Sequence, residues 1–152
     1  MKNLFLIITL LSVFKLSAQN LESYFHYADF NSPDGSYIET YMSTIGRTAV
    51  FNKTDKGFQA EIEVTMIFRQ QDSVRTFRKY VLKSPVIKDS LDIKPNFVDV
   101  QRIPLEQGAY NFEIRIKDLN SNTSGFKFND LINIYFPEDK LAFSGIQIIE
   151  DY

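Results

Sequence analysis

The stretch "GFQAEIEVTMIFRQ", Gly57 to Gln70, decides the fold. Phe58, Ala60, Ile62, Val64, Met66 and Phe68 occupy every second position, and Gln59, Glu61, Glu63, Thr65 and Arg69 fill the gaps between them. Side chains of an extended chain point alternately to opposite sides, so this spacing makes one apolar face and one wet face, the signature of a half-buried antiparallel strand. The pattern returns in "AYNFEIRIKD", with Tyr110, Phe112, Ile114 and Ile116 inward and Asn111, Glu113, Arg115 and Lys117 outward. "FKFNDLINIYF" carries it again on Phe126, Phe128, Ile132, Ile134 and Phe136. A helix needs apolar residues three and four apart, and no window shows that spacing comparably.

Outward from these three, further strands are predicted in "YIETYMSTI" (Tyr37 to Ile45), "TAVFN" (Thr48 to Asn52), "SVRTFRKYVLK" (Ser73 to Lys83), "FVDVQRIPL" (Phe97 to Leu105) and "AFSGIQII" (Ala142 to Ile149). Turn-forming clusters separate them: "SPDG", "KTDKG", "RQQDS", "EQG" and "FPED". The 14 Phe and 8 Tyr suit strands more than helices. About eight short strands at this spacing predict an all-β fold, an antiparallel immunoglobulin-like β-sandwich. In such folds a Tyr near the start of a late strand turns its hydroxyl back to the backbone, and Tyr110, just after Gly108, is placed to do so.

The chain opens as an export signal. Lys2 supplies a positive start, "LFLIITLLSVF" (Leu4 to Phe14) an apolar run, and "LSA" (Leu16 to Ala18) the small residues before a cleavage point, so residues 1–18 are predicted to leave and Gln19 to begin the mature protein. That apolar run is too short for a stable membrane span, which takes about 20 residues, and no later segment is longer. Residues 19–152 then form a single domain, periplasmic or secreted. The chain has no Cys, which excludes disulfides, thiolate metal sites, a Cys nucleophile and a lipidated Cys. Export without disulfides points to the bacterial envelope. Loss of Lys2 and Lys15 leaves 15 basic against 19 acidic residues, and the basic ones are scattered, so no nucleic-acid partner is expected.

Candidate sites are few. "KDLNSNTSGFKF" (Lys117 to Phe128) starts with the oxygen spacing of a calcium loop but has Thr123 and Asn129 where such a loop needs Gly and Glu. In "DFNSPDG" (Asp29 to Gly35) one residue too many separates Asn31 from Asp34. Both are read as turns, with no metal or cofactor. His26, the only histidine, has no nucleophile motif to serve. Glu61 and Glu63 share a strand face, as catalytic carboxylates can, but a wet face with cross-strand Lys or Arg explains them more simply. No catalytic residue is assigned, and a non-enzymatic role is expected.

Two surfaces remain. Tyr37, Glu39 and Tyr41 lie on one strand face and could form a sugar platform, joined by Tyr24 and Tyr27, which are read as loop residues. At the chain's end Ile146, Ile148 and Ile149 break the alternation set by Leu141 and Phe143. Either a bulge at Ser144 and Gly145 turns Leu141, Phe143, Ile146 and Ile148 to one inner face, or the strand is apolar on both faces and docks on something.

"FNSPDGSYIETYMSTIG", "QRIPLEQGAYNFEIRIKDLNS" and "FPEDKLAFSGIQIIE", in that order, resemble the N-terminal region of the GWxTD domain-containing proteins, exported proteins of Gram-negative bacteria. The chain has no Trp, so the naming motif is absent and no functional residue transfers. The resemblance implies a first sandwich module that another domain normally follows. The expected function is protein interaction or spacing in the envelope. The expected partner is an envelope protein or a following domain, with weak self-association; carbohydrate binding through the tyrosines is the alternative.

Secretion should yield a protein whose intact mass begins at Gln19, with or without cyclisation to pyroglutamate. A secreted product that still carries Met1 would contradict the leader.

Overall fold

The computed structural model describes residues 20–137 and 141–146. The expected leader and Gln19 lie outside the described residues, as do Ile148 and Ile149. The described chain is all-β and antiparallel, and none of its helices is long and apolar enough to cross a membrane. Three strands, β1 (Ser23–Ser32), β2 (Gly35–Thr44) and β7 (Phe97–Pro104), form one sheet in the order β1-β2-β7. Four others, β5 (Glu61–Gln70), β6 (Ser73–Lys83), β8 (Gly108–Asp118) and β9 (Phe126–Ile134), form a second in the order β6-β5-β8-β9. A short ribbon of β3 (Asn52–Thr54) and β4 (Gly57–Gln59) stands apart.

Alternation does what it predicts in the larger sheet. Ile62, Val64, Met66 and Phe68 of β5 are wholly buried, and Phe112, Ile114 and Ile116 pair beside them on β8. Ile38 and Met42 of β2 and Ile103 of β7 face them from the other sheet and belong to the same core. Phe112 stacks on Phe68 at 4.7 Å between ring centres and on Phe25 of the opposing sheet at 5.6 Å. On β9 the inner parity is as expected, with Ile132 and Ile134 buried, but Phe126 and Phe128, on the same parity, stay exposed.

Two hydrogen bonds tie the sheets together at opposite flanks. The Tyr27 hydroxyl of β1 donates to Asp130 Oδ2 of β9 at 2.7 Å, and the Tyr80 hydroxyl of β6 donates to Asp99 of β7. At one end the Tyr110 hydroxyl turns back onto the Glu106 carbonyl at 2.8 Å, the geometry expected for that residue.

Four elements depart from expectation. β1 was not predicted: in "YFHYADF" both faces carry rings, so no alternation shows, and Tyr24 and Tyr27 are strand residues rather than loop residues. The run from Phe58 to Phe68 is not one strand. Phe58 bridges to Ile87, the Ala60 amide bonds Ser84 Oγ at 3.0 Å, and only from Glu61 does the chain join β6 and β8. "TAVFN" gives way to a 3-10 turn at Gly46–Thr48 followed by β3. Of the strand expected at Ala142 to Ile149, the described residues 142–146 form no ladder, and the rest lies outside the described residues.

Tyr110 is 2% exposed, so Tyr110→Phe should strand the Glu106 carbonyl and cost on the order of 1 to 3 kcal/mol in chemical denaturation. An unchanged midpoint would reduce Tyr110 to apolar packing.

Candidate functional site

The outward face of the smaller sheet carries the expected platform. The register of β1 on β2 and of β2 on β7 sets up cross-strand rows: His26, Tyr41 and Val100; Ala28, Glu39 and Arg102; Phe30, Tyr37 and Pro104. Tyr37, Glu39 and Tyr41 are therefore brought together as predicted, and the structure adds Arg102, which strand spacing alone could not place beside them. Arg102 Nε donates to Glu39 Oε1 at 2.8 Å, and its guanidinium lies over the Tyr37 ring at 4.7 Å. Phe30 stacks on Tyr37 at 5.4 Å, and the Tyr41 hydroxyl donates to Glu39.

These contacts use the polar groups internally. The Tyr41 hydroxyl above all, then the Arg102 guanidinium, hold the Glu39 carboxyl below the usual range against the opposing effect of burial. Burial first, then the Glu39 carboxylate, pushes the Tyr41 hydroxyl up to about 12. Tyr37 is flanked by Phe30 on one neighbouring strand and Arg102 on the other, which is ordinary cross-strand packing for a sheet surface. Tyr27 points inward to Asp130 and takes no part. Tyr24, 68% exposed, is the most open to solvent of these candidate tyrosines, and His26 stacks on Tyr41 at 6.3 Å.

The other candidates resolve into structural contacts. Glu61 pairs with Lys83 at 2.7 Å and Glu63 with Lys79 at 3.1 Å, the cross-strand partners their positions called for. Sequence reasoning missed the centre of this charged face, Glu113, which is 6% exposed on the outer side of β8. Arg115 at 2.5 Å, Lys127 at 3.0 Å and Arg69 at 3.4 Å surround it. Burial pushes its carboxyl up, but hydrogen bonds from Lys127 and Arg115 outweigh this and hold it below the usual range. The signal was there: Arg69, Arg115 and Lys127 fall on the outward parity of three adjacent strands, but only the register shows that they converge.

"DFNSPDG" is the hairpin of β1 and β2, where Ser32 pairs with Gly35 and Gly35 takes the positive φ of 116° that the tight turn requires. At the end of β8, Asp118 accepts the amides of Val50 at 2.8 Å and Asn120 at 2.9 Å. Asn120 Nδ2 reaches the Val50 and Gln59 carbonyls, so these side chains fasten the loop to the neighbouring chain. Among the described residues no group of three His, Asp or Glu side chains is gathered as a metal site would need.

The end of the described chain forms the second surface. The Gly145 amide donates to the Asp29 carbonyl at 2.8 Å, which pins residues 141–146 against the edge of β1. Leu141, Phe143 and Ile146 on this segment are 89%, 85% and 83% exposed. Toward the start of β1, away from this segment, the flank between β1 and β9 opens into a cleft of about 210 Å³ lined by Leu21, Glu22, Ser23, Tyr24, Ile116 and Phe126.

Comparison of the chain with family models, with curated proteins and with solved structures finds no match in any of the three.

Proposed function

We propose that this chain is an exported immunoglobulin-like module that works through protein contact, as an interaction or spacer unit of the bacterial envelope, and not through catalysis. The seven long strands support the fold: the first, second and fifth make one sheet and the third, fourth, sixth and seventh the other. Constant-type immunoglobulin domains differ from this in keeping the fourth strand with the first sheet. The Tyr110 hydroxyl bonded to Glu106 supports it further, as the corner found in such domains. Export and the Gram-negative setting rest on the leader-like first 18 residues and on the resemblance to the GWxTD domain-containing proteins.

The observation that carries the functional reading is the exposed apolar set Leu141, Phe143 and Ile146, held at the β1 edge by the Gly145 hydrogen bond. Val98 and Val100 of β7 and Tyr24 of β1 add open apolar surface on the same sheet. Exposed apolar area gathered on one sheet and at its edge is the kind of surface where another protein binds. The platform at Tyr37, Glu39 and Tyr41 serves the same surface as a rigid floor, its charges already paired.

Light scattering over a range of concentrations tests this. The secreted protein should associate weakly as concentration rises, and Phe143→Lys with Ile146→Lys should reduce the association while leaving the melting temperature unchanged. A strict monomer at every concentration, with the variant no different, would contradict the contact surface.

A further inference from the structure

We infer that the loop between β6 and β7 carries an apolar finger, Leu91 and Ile93, which docks into the cleft beside β1 and β9 on a second copy of this chain and joins copies head to tail. Leu91 and Ile93 are 92% and 91% exposed, the most open large apolar side chains among the described residues. Scattered apolar residues are normal on any surface, but these stand two residues apart on an ordered turn. The Asp92 amide donates to the Asp89 carbonyl at 3.1 Å, the Asp89 amide to Asp92 Oδ2 at 2.9 Å and the Leu91 amide to Asp89 Oδ1 at 2.9 Å. Both feet of the loop are fastened. Ile87 exchanges backbone hydrogen bonds with Phe58 at 2.8 and 3.0 Å, Asn96 Oδ1 accepts the Gly46 amide at 3.0 Å, and any side chain on Gly46 would strike the Pro95 carbonyl. The finger therefore meets its partner already shaped, with little ordering left to do on binding.

The same chain holds a site that this finger fits. The cleft of about 210 Å³ at the start of β1 has Leu21, Tyr24, Ile116 and Phe126 in its walls, and Tyr24 and Phe126 are themselves exposed. Seating Leu91 and Ile93 there removes apolar surface from water on both partners. Asp89 and Asp92 turn carboxylate oxygens back to the turn's own amides, while Lys88 stands exposed at its foot. Glu22 lines the cleft, so the approach brings opposite charges together. A bilayer is the weaker occupant, because two aliphatic side chains bury less than one acyl chain, which alone holds a membrane only marginally.

Topology makes the contact head to tail. β1 faces β9 at one flank, where Tyr27 meets Asp130, and β7 faces β6 at the other, where Tyr80 meets Asp99. The cleft belongs to the first flank, and the finger, which crosses from β6 to β7, to the second. Ser23 and Phe97 both pair with Thr44, so the two features lie at the same end of the fold with the width of the sheets between them. A chain cannot fill its own cleft, and each copy offers a finger to one neighbour and a cleft to another. Such a heterologous contact builds rows of modules, which suits a spacer. The inference rests on the protein-contact reading and names the partner as a second copy.

Complementation between two variants of the full secreted chain, followed by sedimentation velocity, tests this. Leu91→Lys with Ile93→Lys removes the finger, and Phe126→Lys blocks the cleft; Tyr24→Lys replaces the latter if Phe126→Lys lowers the melting temperature. Each variant alone should stay monomeric at a concentration where the unsubstituted protein associates. An equimolar mixture of a finger variant and a cleft variant should give a species of two chains and nothing larger. A mixture that stays monomeric, or a finger or cleft variant that alone associates like the unsubstituted chain, would overturn the inference. An unsubstituted chain that stays monomeric yet binds phosphatidylcholine vesicles would overturn it by giving the finger to a lipid surface. Association lost in Phe143→Lys with Ile146→Lys but kept in the finger variant overturns this inference and leaves the other contact surface standing. The converse removes that surface and leaves the finger, and a strict monomer in every sample removes both.

Discussion

A chain without cysteine has to hold two sheets together with no covalent tie, and here the seams at both flanks are closed by a tyrosine and an aspartate. Tyr27 reaches from β1 to Asp130 on β9, and Tyr80 from β6 to Asp99 on β7. Neither aspartate is left with one partner, since Asp130 also takes the Leu131 amide and Asp99 the Gln101 side chain. Between the two seams the stack of Phe25, Phe112 and Phe68 fills the gap. Apolar burial supplies most of the driving force, but it is not directional. The two hydrogen bonds add the geometric constraint that fixes how one sheet sits on the other, because each places a ring in the interior and its hydroxyl on one particular acceptor.

That constraint leaves two outer faces of different character. The larger sheet presents Glu61, Glu63 and Glu113, each matched by Lys or Arg on a neighbouring strand, with Phe77, Val81 and Leu131 exposed among them. The smaller sheet presents rings and valines around the Glu39–Arg102 pair, with an apolar segment pinned at its edge. Burial of the second face would remove its rings, its valines and the apolar segment at its edge from water together.

Where alternation was one-sided, the elements were legible from residues alone: β8 and β9 follow from it nearly to the residue, and β5 from Glu61 onward. β1 was hidden because Tyr24, Phe25, His26 and Tyr27 put rings on both faces, one set for the core and one for the outer platform. The break at Ala60 was hidden for the opposite reason, since the parity of Phe58 to Phe68 is unbroken while the partners change from Ile87 to β6 and β8. Tyr37, Glu39 and Tyr41 could be grouped from their spacing along one strand. Arg102 and the surroundings of Glu113 depend on cross-strand register, which spacing along one strand does not contain.

Stability at alkaline pH tests the paired seams most directly. Burial above all, then the Asp130 carboxylate, pushes the Tyr27 hydroxyl up to about 12, and the same two causes, with Asp99, raise Tyr80 further. Unfolded tyrosines ionise near 10, so between there and the folded values the unfolded chain loses protons that the folded chain keeps. Their contribution is complete below about pH 10 and is lost as pH rises above it. The urea midpoint should therefore be level up to about pH 9 and fall steeply above 10, whereas the Tyr27→Phe, Tyr80→Phe double variant should start lower at pH 8 and fall less. A double variant with the native midpoint at pH 8 and the same alkaline fall would contradict the idea that these two bonds hold the sheets in place.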